Sequence, residues 1–322
     1  MSRRMRNYRV MAEEFYLQGK SLKALEMYRK AMRYSSSRED TSLLLFNIGV
    51  ILTELGKLDG AIRCYKKIIE INPTYVDAYY QLGVISEDKG EYEEAVELYK
   101  SALRIDSKDT LSMYNLANLY DLNGEEGRAR NLYKRILKLE PDHPYTLNNL
   151  GAILESKERY NEAYELIKRS IDSKDDFFMS HFNMGVVLKA LGNPEKALWH
   201  YKRSIELNAN YHYSYLNMSA IYIEGGQYHE AIDILTMGIG ANPTAHDLYY
   251  NRACSLAILG SDQKALDDIE RALGMHQQLI KWVEWDKDFD SIRGKARFRE
   301  IIGKYNMTKG KEEADDNGQN QR

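Results

Sequence analysis

Cysteine, long apolar runs and excess charge are all scarce in this chain of 322 residues, and each shortage excludes a class of protein. Cys64 and Cys254 are far apart in sequence and too few for a disulfide framework, which favours a reducing compartment. No stretch of about 18 apolar residues is available to span a bilayer, and the start "MSRRMRNYRV" lacks the apolar core of a secretory signal. The sequence therefore predicts a soluble, cytoplasmic protein with no membrane partner.

The balance of charges argues against a protein that binds nucleic acid. Lysine and arginine total 45, aspartate and glutamate total 48, and the formal net charge is -3, so there is no basic footprint for nucleic acid or an anionic membrane. The chain also has no glycine-rich phosphate loop and no nucleophile elbow. His181, His212 and His246 lack the cysteines or close carboxylates of a metal site and are interpreted as scattered surface histidines. No catalytic residue, metal or cofactor is predicted.

The strongest positive feature is an internal repeat of 34 residues, and a fixed period decides the fold before any other pattern does. Alanine recurs at this spacing, at Ala61, Ala95, Ala129, Ala163, Ala197, Ala231 and Ala265. Within a unit, apolar residues at helical spacing stop at a glycine such as Gly90 and then resume, which predicts two amphipathic helices joined by a short turn. The turn glycines suit a left-handed helix C-cap, and Glu158 replaces one of them.

Residues 42–75 show the pattern of one unit most completely. The marker residues are Leu45, Ile48, Gly49, Leu52, Gly56, Ala61, Tyr65 and Pro73. This pattern resembles that of the tetratricopeptide repeat family. The resemblance implies an all-α fold, a right-handed α-solenoid of about eight helix-turn-helix repeats over residues 5–279. The repeats are predicted at 5–38, 42–75, 76–109, 110–143, 144–177, 178–211, 212–245 and 246–279.

The residues that follow the last repeat are expected to close the array. Residues 280–305 resemble the capping segment often found behind such repeats, and an aromatic ligand box is the alternative interpretation. Five large apolar side chains are expected to cover the last helix pair, namely Trp282, Trp285, Phe289, Ile292 and Phe298. Residues 306–322 are polar, lack apolar periodicity and are expected to be disordered.

One polar side chain recurs at the sixth position of the repeats, on the first helix. This set, the amide ladder, consists of Asn47, Gln81, Asn115, Asn149, Asn183, Asn217 and Asn251. It resembles the asparagine ladder in the repeat domain of O-linked N-acetylglucosamine transferase, where asparagines grip the backbone of an extended peptide. The catalytic region of that enzyme has no counterpart here. The resemblance implies that the amides line the concave surface, beside the aromatic residues of the fifth position, which are Phe46, Tyr80, Tyr114, Phe182 and Tyr250.

The sequence therefore predicts a non-enzymatic adaptor that binds an extended protein segment, and other interpretations of the same residues stay open. Asparagine is common at this position in the family and can bond to an adjacent helix, and the aromatic rings can pack against neighbouring repeats. Acidic residues near the ends of the first helices suit a basic ligand or form an ordinary solvated surface; they are Glu54, Glu87, Asp88, Asp121, Glu155 and Glu224. The alternative function is a structural protein that homo-oligomerises through a terminal repeat or its convex surface.

Overall fold

The computed structural model describes residues 2–306, and this range folds into helices without any β-strand. Sixteen helices follow one another as eight hairpins, which confirms the predicted all-α solenoid of helix pairs. They are α1 (Arg3–Leu17) and α2 (Ser21–Met32), α3 (Arg38–Glu54) and α4 (Leu58–Ile71), α5 (Val76–Asp88) and α6 (Tyr92–Ile105), α7 (Thr110–Leu122) and α8 (Glu126–Leu139), α9 (Pro144–Glu155) and α10 (Tyr160–Ser173), α11 (Phe178–Ala190) and α12 (Pro194–Leu207), α13 (His212–Glu224) and α14 (Tyr228–Ala241), and α15 (His246–Ile258) and α16 (Asp262–Met275).

The chain divides into two compact units, and the division falls within α9. The first unit is Met1–Thr146 and contains α1 to α8, where each helix packs against the next, as α1 does with α2 and α2 with α3. The second unit is Leu147–Arg322 and contains the rest of α9 and α10 to α16, with contacts such as those of α10 with α11 and α11 with α12.

The turn inside each hairpin is closed by a residue in the left-handed region, as the glycine spacing predicts. Gly56 has φ 69°, and its neighbour Lys57 donates its backbone N–H to Leu52 over 2.8 Å. This bond satisfies a carbonyl that the end of α3 would otherwise leave unpaired. Glu158 is the one non-glycine residue with positive φ, at 58°, among residues 2–306. It therefore carries conformational strain that glycine avoids.

The core of a hairpin depends on a small residue in the first helix facing a large one in the second. In the hairpin of α3 and α4, Tyr65 has no solvent exposure, and a Cβ added at Gly49 would lie 2.6 Å from its ring. Gly83 and Tyr99 repeat this arrangement between α5 and α6, with a distance of 2.5 Å. The glycine is therefore required, because the tyrosine ring lies directly on the backbone of the first helix.

The segment after α16 packs against the last hairpin of the second unit. It contains a short helix, α17 (Ile280–Val283), a second, α18 (Asp290–Arg293), and a helical stretch at 296–306. Phe289 and Ile292 are fully buried, in one apolar cluster with residues of α15 and α16. Trp282 and Trp285 are 70% and 79% exposed. The expectation that these two tryptophans cover the last hairpin is wrong, since their side chains face solvent.

The predicted tail at 306–322 lies outside the described residues, apart from Asn306. That residue belongs to the helical stretch and donates from Nδ2 to Oε1 of Glu284 over 2.8 Å. Among the helices of residues 2–306, none is long and apolar enough to cross a membrane.

Candidate functional site

The amide ladder of the first unit lies on α3, α5 and α7, and its three side chains are half-buried. Asn47 donates from Nδ2 to the carbonyl of Leu43, one turn earlier in its own helix, over 2.9 Å. Asn115 donates instead to the hydroxyl of Tyr99 on α6, over 3.1 Å. Two rungs of one ladder therefore use their amides differently, one within its helix and one towards the preceding repeat.

The contact of Asn115 with Tyr99 is part of a short polar chain in the first unit. The Tyr99 hydroxyl donates to Oε2 of Glu87 over 2.8 Å, so one phenol joins a ladder amide to one of the acidic residues. Burial is the main factor that raises the pKa of Tyr99, the bond from Asn115 lowers it, and Glu87 raises it further. The phenol is therefore protonated, and Asn115 helps to hold α7 against α6.

The ladder of the second unit lies on α9, α11, α13 and α15, and its side chains are also half-buried. Asn183 donates from Nδ2 to Oδ1 of Asn148 over 2.9 Å, and Asn148 donates to Oδ1 of Asn149 over 3.1 Å. Asn217 and Asn251 donate to carbonyls of their own helices, over 3.0 Å and 2.8 Å. Helices α9 and α11 are therefore linked through amides, whereas the amides of α13 and α15 bond within their own helices.

Most ladder amides keep an unused acceptor. Within residues 2–306, no hydrogen bond is accepted by Oδ1 of Asn47, Asn115, Asn183, Asn217 or Asn251. A carboxamide has one carbonyl oxygen and two N–H donors. Each of these side chains thus spends one donor inside the protein and retains the acceptor that a peptide N–H requires.

The aromatic residues of the fifth position pack against second-helix tyrosines of their own hairpins. The ring centroids of Phe46 and Tyr65 are 5.9 Å apart, and those of Tyr80 and Tyr99 are 6.0 Å apart. Tyr114 with Tyr133, at 6.3 Å, and Phe182 with Tyr201, at 5.9 Å, repeat the arrangement. The first-helix rings are half-buried. They have a packing role on one side and accessible surface on the other.

Tyr250 differs from the other fifth-position aromatics because the segment after α16 contacts it. Its ring meets that of Phe289 edge-on at 5.8 Å, and its hydroxyl donates to Oδ2 of Asp286 over 2.5 Å. Cys254, Asp286 and Asp288 also bring potential ligand atoms within 4.8 Å of one another, which the sequence interpretation missed. Burial raises the pKa of the Cys254 thiol, so it stays protonated. The cluster is a polar contact between α15 and the segment.

The histidines are not all on the surface. His181 is fully buried, which contradicts the surface assignment, and its Nδ1 lies 3.1 Å from Nδ1 of His200 on α12. His212 instead contacts Asp247, with 3.1 Å between Nε2 and Oδ2, and His246 stacks on His276 at 4.5 Å. The fourth position of a repeat is normally apolar and buried. The position of His181 in its repeat was therefore the sequence signal that this histidine is buried.

The acidic residues of the first helices differ between the units. In the first unit Glu87, Asp88 and Asp121 form no ion pair with a cation of the described chain, and desolvation raises the pKa of Asp121. In the second unit Glu224 is paired with Lys189 over 2.6 Å, and desolvation raises the pKa of Glu155. Helices α5 and α7 of the first unit therefore carry three acidic residues that no cation of the described chain pairs.

Family models match three stretches of the chain. A model described as "TPR repeat" matches residues 49–87, and two described as "Tetratricopeptide repeat" match 86–145 and 180–211. The chain contains tetratricopeptide repeats. No curated protein matches this chain by sequence.

Solved structures that resemble this tetratricopeptide repeat protein show its fold. Cut9-Hcn1, a hetero-tetramer of APC/C, has a TM-score of 0.61 and 13% identity, covering 92% of this chain and 54% of that one. The human IFIT1 dimer with m7Gppp-AAAA has a TM-score of 0.56 and 14% identity, covering 94% and 86%. Pseudomonas aeruginosa pilF has a TM-score of 0.53 and 21% identity, covering 71% and 97%. The family is generally non-catalytic, and the repeats make this chain a protein-interaction scaffold.

Proposed function

We propose that this scaffold is a non-enzymatic adaptor that binds an extended segment of a partner protein along the first helices within a unit. The observation that carries the proposal is the unused carbonyl oxygen on half-buried asparagines of the ladder, as at Asn47 and Asn217. A half-buried acceptor is partly desolvated, so a peptide N–H that reaches it replaces little water. The internal bond through Nδ2 also fixes the orientation of the amide before the peptide arrives, which lowers the entropy cost of binding.

The spacing of the rungs suits an extended chain. Packed helices lie about 8 to 10 Å apart, and an extended chain advances about 3.3 Å per residue. One rung then meets roughly every third peptide unit. Because the contacts are to the backbone, the face accepts many sequences, and fifth-position rings supply apolar contact area beside five of the seven rungs.

The charge of the first unit favours a basic segment. Glu87, Asp88 and Asp121 lie on α5 and α7 without cationic partners in the described chain, and Tyr99 joins Glu87 to Asn115. A lysine or arginine of the partner would supply the missing charge and would also speed association at low salt.

Peptides selected from a displayed library against the full chain provide the test. The selected peptide is titrated against Asn47→Ala and against Asn217→Ala/Asn251→Ala, whose lost donors bonded only to their own helices. Each lost net hydrogen bond contributes about 0.5 to 1.5 kcal/mol, so roughly tenfold weaker binding or less is expected per site. Asn161→Ala, an exposed asparagine on α10, is the matched control and should leave the affinity unchanged. Unchanged affinity in all the ladder variants would contradict the proposal.

A second candidate function is self-assembly through the terminal segment. Trp282 and Trp285 expose 70% and 79% of their surface on one short stretch, and exposed aromatic side chains of this size are typical of interfaces. Sedimentation of the full chain against Trp282→Ser/Trp285→Ser distinguishes the two functions. A dimer that becomes a monomer in the variant supports self-assembly, and a monomer in both cases excludes this surface.

A further inference from the structure

A pocket of about 440 Å³ opens at the junction of the third and fourth hairpins, in the first unit. None of its lining residues belongs to the amide ladder. The lining residues come from α6, α7 and α8 and are Lys100, Leu103, Arg104, Leu116, Tyr120, Arg128, Asn131, Leu132 and Arg135. Four of the nine are cations, in a chain whose formal net charge is -3. We call it the arginine pocket.

Two of the four cations are already neutralised. Lys100 pairs with Glu97, one turn earlier in α6, over 2.8 Å. Arg128 pairs with Glu125, the N-cap residue of α8, over 2.5 Å. Arg104 donates to the hydroxyl of Ser101 over 2.6 Å, and Arg135 donates to the carbonyl of Ser107 over 2.9 Å. Neither of these two arginines has a carboxylate partner within residues 2–306. The pocket therefore has two arginines that form no salt bridge, and the charge of Glu97 acts on Arg104 as well as on Lys100.

The floor of the arginine pocket is apolar. Leu103, Leu116 and Leu132 form it, and Leu116 and Leu132 are buried. The guanidinium of Arg128 lies over the ring of Tyr120, 5.4 Å from its centroid. A ligand in this pocket would meet cations at the rim and hydrocarbon beneath.

The charge of this junction differs from that of the junction one repeat earlier, where the same positions carry other residues. There the counterparts of Arg104, Arg128 and Asn131 are Glu70, Glu94 and Glu97. Serine, at Ser101, replaces Arg135. Of the four cations of the arginine pocket, only Lys100 has a cationic counterpart there, at Lys66.

The second unit contains an equivalent pocket with a different charge balance. It has a volume of about 360 Å³ and is lined by residues of α14, α15 and α16 at matching positions. Asp267 and Asp268 occupy the positions of Asn131 and Leu132. Asp268 binds the guanidinium of Arg252 with two bonds of 2.7 and 2.8 Å. This pocket supplies its own anions, whereas the arginine pocket does not.

We propose that the arginine pocket binds a phosphate monoester, with Arg104 and Arg135 on the phosphate and the leucine floor under its organic group. A phosphate monoester carries about -1.5 to -2 charges at neutral pH, which matches two unpaired arginines. A single carboxylate would leave one arginine uncompensated. Guanidinium groups bind phosphate oxygens through paired N–H donors, which suits these two side chains. The phosphate comes either from a phosphorylated side chain of a bound protein or from a nucleotide.

Calorimetric titration of the full chain with phenyl phosphate tests this assignment, with benzoate as the singly charged comparison. Saturable binding is expected for phenyl phosphate and much weaker binding for benzoate. Arg104→Gln/Arg135→Gln removes two charge-assisted contacts from exposed positions. It should weaken the binding of phenyl phosphate by about tenfold or more. Lys264→Gln/Arg271→Gln also removes two cations, but from the equivalent pocket, and should leave binding unchanged.

A second variant tests the pocket without removing any arginine. Asn131 is exposed, and Asn131→Asp introduces the carboxylate that the other unit has at Asp267, so it should also weaken phenyl phosphate. Comparison of a phosphotyrosyl peptide with AMP then identifies the source, since the tighter ligand indicates a phosphoprotein or a nucleotide. Absence of saturable binding, equal affinity for benzoate, or an equal loss in Lys264→Gln/Arg271→Gln would each overturn the proposal.

Discussion

The amide of Asn183 donates to the amide oxygen of Asn148 on the preceding first helix over 2.9 Å, so this rung of the ladder bonds to its neighbour. Asn148 is buried, at 2% exposure. Asn217, by contrast, bonds only to the carbonyl of Tyr213 in its own helix. The two asparagines occupy the same repeat position and yet differ in what their loss would leave unpaired.

Asn183→Ala should therefore destabilise the protein more than Asn217→Ala does. The first change leaves a buried acceptor on Asn148 unsatisfied, at a cost of about 1 to 3 kcal/mol. The second removes an own-helix contact from a half-buried side chain and should cost about 0.5 kcal/mol or less. Urea unfolding followed by circular dichroism measures both, and equal losses would show that the inter-helix bond does not contribute.

Gly49→Ala should destabilise the hairpin of α3 and α4. The new Cβ would lie 2.6 Å from the ring of Tyr65, which has no space to withdraw because the ring is fully buried. Overpacking of this kind costs about 1 to 3 kcal/mol. Gly127→Ala, in α8 with no atom within 4 Å of the added Cβ, is the control. It should be neutral or stabilising by up to about 1 kcal/mol, since alanine is the better helix former. A stable Gly49→Ala variant would show that Tyr65 can move.

Replacing both residues of the Arg252–Asp268 ion pair should preserve stability, whereas replacing only one of them should not. Arg252 stands where three other repeats have leucine, at Leu82, Leu116 and Leu150. Arg252→Leu leaves the Asp268 carboxylate buried and unpaired, which should cost about 3 kcal/mol or more. Arg252→Leu/Asp268→Leu should recover stability to within about 1 kcal/mol of the natural chain, because hydrophobic replacement of a buried pair is often neutral. A double variant as unstable as the single one would contradict this account, again by urea unfolding.

Local patterns predicted most of the helical framework, because a repeated set of small and large residues encodes the packing of each hairpin. The positive φ of Gly56 follows from the glycine spacing alone, whereas the contact of Gly49 with the ring of Tyr65 required the structure. The arrangement of the amides did not follow, since the rotamer decides whether Asn115 reaches Tyr99 or its own helix. Arg252 and Asp268 are each charged residues at apolar repeat positions, which the sequence shows separately. Only the fold shows that the two are paired.

Acid should weaken the protein through His200. Burial, and then the charge of His181, lower the pKa of His200 from 6.5 to about 4, against a smaller opposing effect of Asp175. Above about pH 6.5 the imidazole is neutral in both states. Between about pH 6.5 and 4 the unfolded chain binds a proton that the folded chain does not, so the free energy of unfolding falls as pH falls. His200→Leu should flatten this dependence when urea unfolding is compared at the two ends of the window. An unchanged pH profile in the variant would assign the acid sensitivity to other groups.

The segment at 280–306 should behave as a cap in which Phe289 contributes and the tryptophans do not. Phe289 is fully buried among residues of α15 and α16, so Phe289→Ala should cost about 3 to 5 kcal/mol. Trp285→Ala removes a larger side chain that is 79% exposed and should change stability by about 0.5 kcal/mol or less. Urea unfolding of the two variants measures the difference, and light scattering shows whether loss of Phe289 exposes the apolar surface of the last hairpin. A ligand box would give a different result, because the exposed tryptophans would then affect binding and Phe289→Ala would leave the unfolding midpoint unchanged. Similar stability losses in both variants would contradict the cap, since an exposed indole can cost that much only if it packs against the hairpin.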